Sequence, residues 1–172
     1  MNDSIYLAAE RLCKKHMTRD PFELLDGLGV VTSFSHRFRQ DGLKGFCTII
    51  NRTRYVVIND RLCDEEQRVV AAHEAGHIVL HDTELKIGTF NDNDIYMAKG
   101  KQEREANFFA ADFLISDNDV LDAMHECGSN FFTVARALCI PEPFFAFKLY
   151  SMVERGYSMR IPVELDNAFL SK

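Results

Sequence analysis

Two histidines four residues apart, with a glutamate after the first, form the run His73-Glu74-Ala75-Gly76-His77, an H-E-x-x-H. On a helix, residues four apart share one face a turn apart, so both imidazoles can reach one ion. Zinc takes nitrogen ligands tetrahedrally and, where it is catalytic, keeps one position open. Glu74 falls beside that face, placed to accept a proton from an attacking water. The same stretch carries Val69, Val70, Ala71, Ala72, Ala75, Ile78, Val79 and Leu80, so the helix is apolar on nearly every side. Such a helix belongs in the middle of a fold. Surface histidines are the bland alternative, but on a buried helix two imidazoles and a carboxylate each need a polar partner.

A catalytic zinc needs a third protein ligand, and no third histidine follows at the spacing H-E-x-x-H-x-x-G-x-x-H. The next helix, expected over about Lys101 to Ile115, offers Glu103 and Glu105. Two residues apart means about 200° of rotation, so both cannot face one site. Its apolar stripe is Ala106, Phe109, Ala110, Phe113 and Leu114; Glu103 falls within it, and Glu105 falls opposite with Asp112 on what reads as a solvated face. A carboxylate on a buried stripe needs a cation, so Glu103 is the expected third ligand. Asn107, one turn on, is placed to hydrogen-bond a ligating imidazole.

Tyr96 and His36 are candidates for a donor to the oxyanion of a reacting carbonyl, against loop packing and a surface histidine as plainer readings. His81 ends the metal helix and reads as a partner of the helix dipole, as do His16 and His125. Asn91-Asp92-Asn93-Asp94 lacks the Gly and Glu of a calcium loop and reads as a solvated loop. Val134 to Glu142 has helix-turn-helix spacing, but the following helix bears Phe144, Phe145, Phe147, Leu149 and Tyr150 with Lys148 nearly alone. A DNA reader needs polar and basic side chains there. Core packing or protein docking is the better reading.

The elements that must position these residues are legible in outline. Helical spacing runs from Ser4 to His16, and a short helix follows Asp20 as N-cap with Pro21 at its first position and Gly27 or Gly29 as its stop. Gly29–Ser35, Gly45–Ile50 and Arg54–Asn59 read as strands, the last two a hairpin across Asn51–Thr53. The metal helix is expected from Asp64 to about His81, its first turn acidic. Asp82 to Gly100 reads as a long polar loop. Further helices are expected from the Ser116 cap to near Gly128, and over Asn130–Leu138 and Glu142–Arg155. The fold is thus expected to be α+β: a small, mostly antiparallel three-stranded sheet packed on a central H-E-x-x-H helix, with a mainly helical C-terminal half. No linker divides it, so residues 1–172 read as one domain. Its parts are N-terminal helices (1–28), sheet (29–60), metal-site helices (64–115), C-terminal helices (116–155) and a loosely packed tail (156–172).

His73-Glu74-Ala75-Gly76-His77 followed by Glu103-Arg104-Glu105-Ala106-Asn107-Phe108-Phe109-Ala110-Ala111 resembles the ImmA/IrrE metallopeptidases, which read as H-E-x-x-H, a spacer, then E-x-E-A-N-x-F-A-A. Tyr55-Val56-Val57-Ile58-Asn59 and Arg68 also resemble the family's lead-in. The likeness covers about residues 44–115. It implies a zincin-like fold and a gluzincin-like site: one zinc on His73, His77 and Glu103, with Glu74 as base. It also implies cleavage of a helix-turn-helix repressor that silences a mobile element or a stress response. Ser116 stands where the family often has proline, a difference of capping rather than chemistry. The competing readings are a regulatory module that keeps the metal but only sequesters its partner, and a toxin–antitoxin component acting by contact.

Composition sets the frame. The chain has 172 residues, 47% hydrophobic and 27% charged, with only nine Gly and four Pro, which excludes disordered and fibrous classes. Residues 1–60 carry nine Lys/Arg against seven acids and the rest eleven against nineteen, so a stretch of +2 precedes one of −8. A net charge of −6 favours a protein substrate over direct nucleic-acid binding. No secretory signal opens the chain and no apolar run is long enough to span a membrane. Five scattered cysteines without a CxxC read as reduced thiols with no part in the site, and the expected location is cytoplasmic.

Overall fold

The computed structural model describes residues 2–39, 42–82 and 92–162, with backbone alone for residues 2 and 92–99. The chain opens with helix α1 (Asn2–His16) and α2 (Pro21–Gly27). The Asp20 carboxylate accepts hydrogen bonds from the Phe22 and Glu23 amides at 2.8 and 3.1 Å, and Pro21 starts the helix. Gly29, at φ +69°, reverses the chain, so Val30 N–H reaches the Leu25 carbonyl at 3.0 Å. Three strands follow: β1 (Val31–Ser35), β2 (Gly45–Ile50) and β3 (Thr53–Asn59). Asn51 and Arg52 both have positive φ, the signature of a two-residue hairpin turn whose twist suits the strands.

The sheet order is β1-β3-β2. β2 and β3 are antiparallel, with Cys47 opposite Val56, whereas β1 runs parallel to β3, with Val31 opposite Tyr55. β3 is therefore central and β2 is an edge. Val56 and Ile58 are fully buried on the face that meets helix α3 (Asp64–Leu80). Gly45 lies on the same face, and a Cβ there would stand 2.5 Å from a Val70 methyl, so the glycine lets α3 lie directly on β2.

Helix α4 (Asp92–Leu114) begins nine residues earlier than the expected Lys101, so the second half of the anticipated loop is helix. Asp92 and Asp94 suit a helix N-terminus, and Gly100 inside a long helix costs only about 1 kcal/mol. The remainder of the expected loop, 83–91, lies outside the described residues. Then come α5 (Asp117–Cys127), α6 (Phe131–Ala137) and α7 (Glu142–Glu154). Ser116 and Asp119 form a reciprocal capping box on α5, and Asn130 caps α6. One apolar cluster takes in residues from Ile5 to Met152.

Phe144, Phe145 and Phe147 of α7 are fully buried, which settles that helix as core. Asp112 departs from the solvated face expected for it. It is buried, with Lys148 Nζ at 2.9 Å and Ser151 Oγ at 2.6 Å. Lys148 also reaches Asp117 at 2.7 Å, and Arg155 meets both Asp117 oxygens at 2.5 and 2.8 Å while stacking on Tyr6. This charged knot joins α1, α4, α5 and α7. Beyond α7, Tyr157, Met159 and Ile161 pack on the core, so that part of the expected loose tail is docked. No helix among the described residues is long and apolar enough to cross a membrane.

Candidate metal centre

The centre is built where α3 crosses α4. Gly76 of α3 faces Ala106 of α4 so closely that a Cβ on it would come within 3.1 Å of Ala106 Cα, Ala106 O and the Phe109 ring. With no side chain on Gly76, the helices approach closely and bring side chains on either flank together. His73 and His77 project from one turn to the next, and Glu103 comes to meet them.

The three donors converge. His73 Nε2 lies 3.0 Å from His77 Nε2 and 3.3 Å from Glu103 Oε2, and His77 Nε2 lies 3.6 Å from Glu103 Oε1. Ligands at about 2.0–2.1 Å from one zinc ion sit roughly 3.3 Å apart at the corners of a tetrahedron. The observed separations bracket that value, so these residues could hold such an ion with only small adjustments. Among the described residues no other cluster of three histidine, cysteine, aspartate or glutamate side chains converges in this way.

The remaining nitrogen of His73 is also engaged. Its Nδ1 lies 2.9 Å from Asn107 Oδ1, and Asn107 is fully buried. An amide oxygen accepts, so Nδ1 carries the proton and Nε2 presents its lone pair toward the centre. Burial opposes a charge on His73, but Glu103, Glu74 and Asn107 outweigh it and raise its pKa. Burial likewise works against ionised Glu103, yet His73 and His77 hold that carboxyl far below its usual range.

Glu74 is 7% exposed and points to the sheet side of α3. Its neighbour there is a residue the sequence reading set aside, Cys47. Burial, and then the Glu74 carboxylate with which it hydrogen-bonds, push the Cys47 thiol well above its ordinary value. The register explains the meeting: Gly45 sits against Val70, so two residues along β2 matches one turn along α3. Gly45 and Cys47 on alternate positions of a short strand were the available signal.

Glu105 does not lie on an open face either. Its carboxylate is 3.6 Å from His81 Nε2 and 3.7 Å from Lys101 Nζ. His36 is exposed, follows β1 at the edge away from β2, and pairs with Asp60, so it is not brought to the three donors. Tyr96 falls on the helical backbone of α4, and its side chain lies outside the described residues.

An H-E-x-x-H helix against a small sheet, joined by a carboxylate from the following helix, is the zincin-like arrangement. A family model described as the IrrE N-terminal-like domain, peptidase family M78, matches residues 26–150. The chain belongs to this family of peptidases. It is also similar to "Uncharacterized immunity region protein 2" of Bacillus phage phi105, 34% identical over 116 residues that cover 66% of this chain and 69% of the phage protein.

Proposed function

We propose that this chain is a zinc-dependent endopeptidase that hydrolyses a peptide bond in a helix-turn-helix repressor-type protein and so regulates a mobile element or a stress response. The observation that carries the reading is the convergence of His73, His77 and Glu103 at tetrahedral spacing with the Glu74 carboxylate one residue from the first ligand. Those three residues would hold one ion per chain. When bound, zinc supplies Lewis-acid polarisation of the scissile carbonyl and makes water a stronger acid.

The rest of the chemistry belongs to the chain's own side chains. Glu74, nearly buried, takes the proton of the attacking water and passes it to the leaving amine. Asn107 keeps His73 in one tautomer and one orientation. Among the described residues β2 is the sheet edge whose Cys47 meets Glu74, and along it an extended substrate segment adds as a further strand. The repressor as target rests on the family resemblance, and the name of the phage relative, which speaks of an immunity region, agrees with it.

The test pairs the zinc-loaded protein with a small helix-turn-helix protein encoded beside it, read by intact mass. Wild type is expected to cut the partner at one bond, and Glu74→Gln to bind zinc and leave the partner whole. An uncut partner with zinc-loaded wild type, or equal cleavage by Glu74→Gln, overturns the reading in favour of sequestration without proteolysis.

A further inference from the structure

Strand alternation gives the sheet two unlike faces. Gly45, Val56 and Ile58 turn toward α3, and Phe34, on that same face, meets Phe22 of α2 with ring centroids 5.9 Å apart. Both helices that pack on the sheet therefore lie on one side. On the other face the register sets Val31, Tyr55 and Thr48 in one row and Ser33, Val57 and Phe46 in the next, with Ile50 at the hairpin end. Among the described residues no helix is packed there. Val31, Phe46 and Ile50 are 47%, 38% and 54% exposed, and Tyr55 and Val57 are half-buried although they sit on the central strand. A continuous apolar patch of this kind with a polar rim marks an interaction surface.

Charge is as one-sided here as burial. From Val31 to Asn59 the described residues include Arg37, Arg39, Lys44, Arg52 and Arg54 but no carboxylate, in a chain whose net charge is −6. Lys44 and Arg54 are engaged by Glu66 and by Asp82, at the start and just past the end of α3. Arg52 stands exposed in the hairpin turn, two residues from Ile50. At the opposite end of the face the Phe38 ring lies 6.2 Å from that of Phe46, and Asn59 Nδ2 donates to the Arg39 carbonyl at 3.0 Å. The chain after β1 thus bends over that end and brings the exposed Arg37 with it.

We propose that this outer face docks a protein partner through a segment carrying carboxylates at its ends and apolar side chains between them. An apolar strip with arginines at both ends is the complement of such a segment in both shape of charge and solubility. Two copies of this chain placed face to face would set arginine against arginine. Nucleic acid would gain phosphate contacts from the arginines, but Val31, Val57 and Ile50 offer it no donor and the net charge repels a polyanion. The face is turned away from α3, so a partner docked here leaves Glu74 and the three converging donors uncovered. The inference therefore does not depend on the peptidase reading.

The probe is a fluorescein-labelled synthetic peptide with glutamates at both ends of a core that alternates valine and threonine. It is titrated with the full chain and followed by anisotropy, and amide shifts of the isotope-labelled protein map where it lies. The peptide is expected to bind, with shifts at Val31, Phe46, Thr48, Tyr55 and Val57 rather than along His73–His77. Ile50→Asp, and Arg37→Glu combined with Arg52→Glu, should each weaken it by about tenfold or more. Raised salt should weaken it too, because exposed charges are screened. A peptide with lysine ends, or with serine in place of valine, should bind at least tenfold more weakly. These side chains are exposed, so circular dichroism of the variants should match wild type; if Ile50→Asp fails to fold, Phe46→Thr carries the same expectation. No binding, equal binding by the variants, or shifts centred on Cys47 and Glu74 overturns the proposal. So does tighter binding of a DNA duplex, or a dimer in light scattering that Ile50→Asp dissolves.

Discussion

Replacing Gly76 with alanine probes the helix crossing directly. On an isolated helix the change would stabilise by about 1 kcal/mol, because glycine forgoes that much propensity. Here the new methyl would sit 3.1 Å from Ala106 Cα, Ala106 O and a Phe109 ring carbon. Carbon atoms prefer separations of about 3.5–4.0 Å, so α4 must retreat by roughly 0.4–0.9 Å. Overpacking of this kind costs about 1–3 kcal/mol, which leaves the metal-free protein between unchanged and about 2 kcal/mol less stable. The retreat matters more for the site, since it exceeds the roughly 0.2 Å within which ligand distances must hold. Zinc affinity should therefore drop by tenfold or more while the fold survives. Urea titration of the metal-free protein and chelator competition for zinc, run side by side, separate the two effects. A variant that is stabilised by about 1 kcal/mol and binds zinc like wild type would show that the crossing does not set the site.

Three further outcomes follow from the charged knot and the thiols. Lys148→Met strips the buried cation from between Asp112 and Asp117, and with Arg155 still 3.6 Å from Asp112 the loss should fall near the low end of about 3–5 kcal/mol, read as a lowered urea midpoint. Asp117 is shielded, which alone would raise its pKa, yet Arg155 and Lys148 hold its carboxyl far below the usual range. Its contribution is present above the ordinary carboxylate value of about 3.9 and lost as pH falls through the depressed one, so Asp117→Asn should flatten the melting temperature against pH below about 4. Cys127 and Cys139 are exposed whereas Cys13 is buried and Cys47 is half-buried with a raised pKa; peptide mapping after brief iodoacetamide treatment at pH 8 should find the first two alkylated and the latter two largely unmodified.

Local signals were legible because their causes are local. Asp20-Pro21 announces a helix start, Asn51-Arg52 sits between two strand-like runs, and H-E-x-x-H carries its own spacing. Even the choice between Glu103 and Glu105 followed from 200° of helical rotation. What rotation could not supply was the surroundings of the rejected residue, since His81 and Lys101 approach Glu105 only once α3 and α4 cross. Asp112 was misjudged for the same reason: Lys148 and Ser151 lie 36 and 39 residues away, and a helical pattern says nothing of a partner on another element. Strand pairing is likewise non-local, so nothing in Val31–Ser35 told that it would run parallel to β3. The segment 92–100 read as loop because Asn, Asp and Gly punctuate it, although the flanking residues tolerate a helix.

The central claim is that His73, His77 and Glu103 together hold one zinc beside a base that is not itself a ligand. Zinc content per chain after exhaustive dialysis, measured by inductively coupled plasma mass spectrometry on wild type, Glu74→Gln, Glu103→Ala and Glu105→Ala, tests it most directly. The account predicts one zinc in wild type and Glu74→Gln, and a large loss in Glu103→Ala. It predicts that Glu105→Ala retains one zinc, as wild type does. One zinc retained in Glu103→Ala, with none in Glu105→Ala, would contradict it.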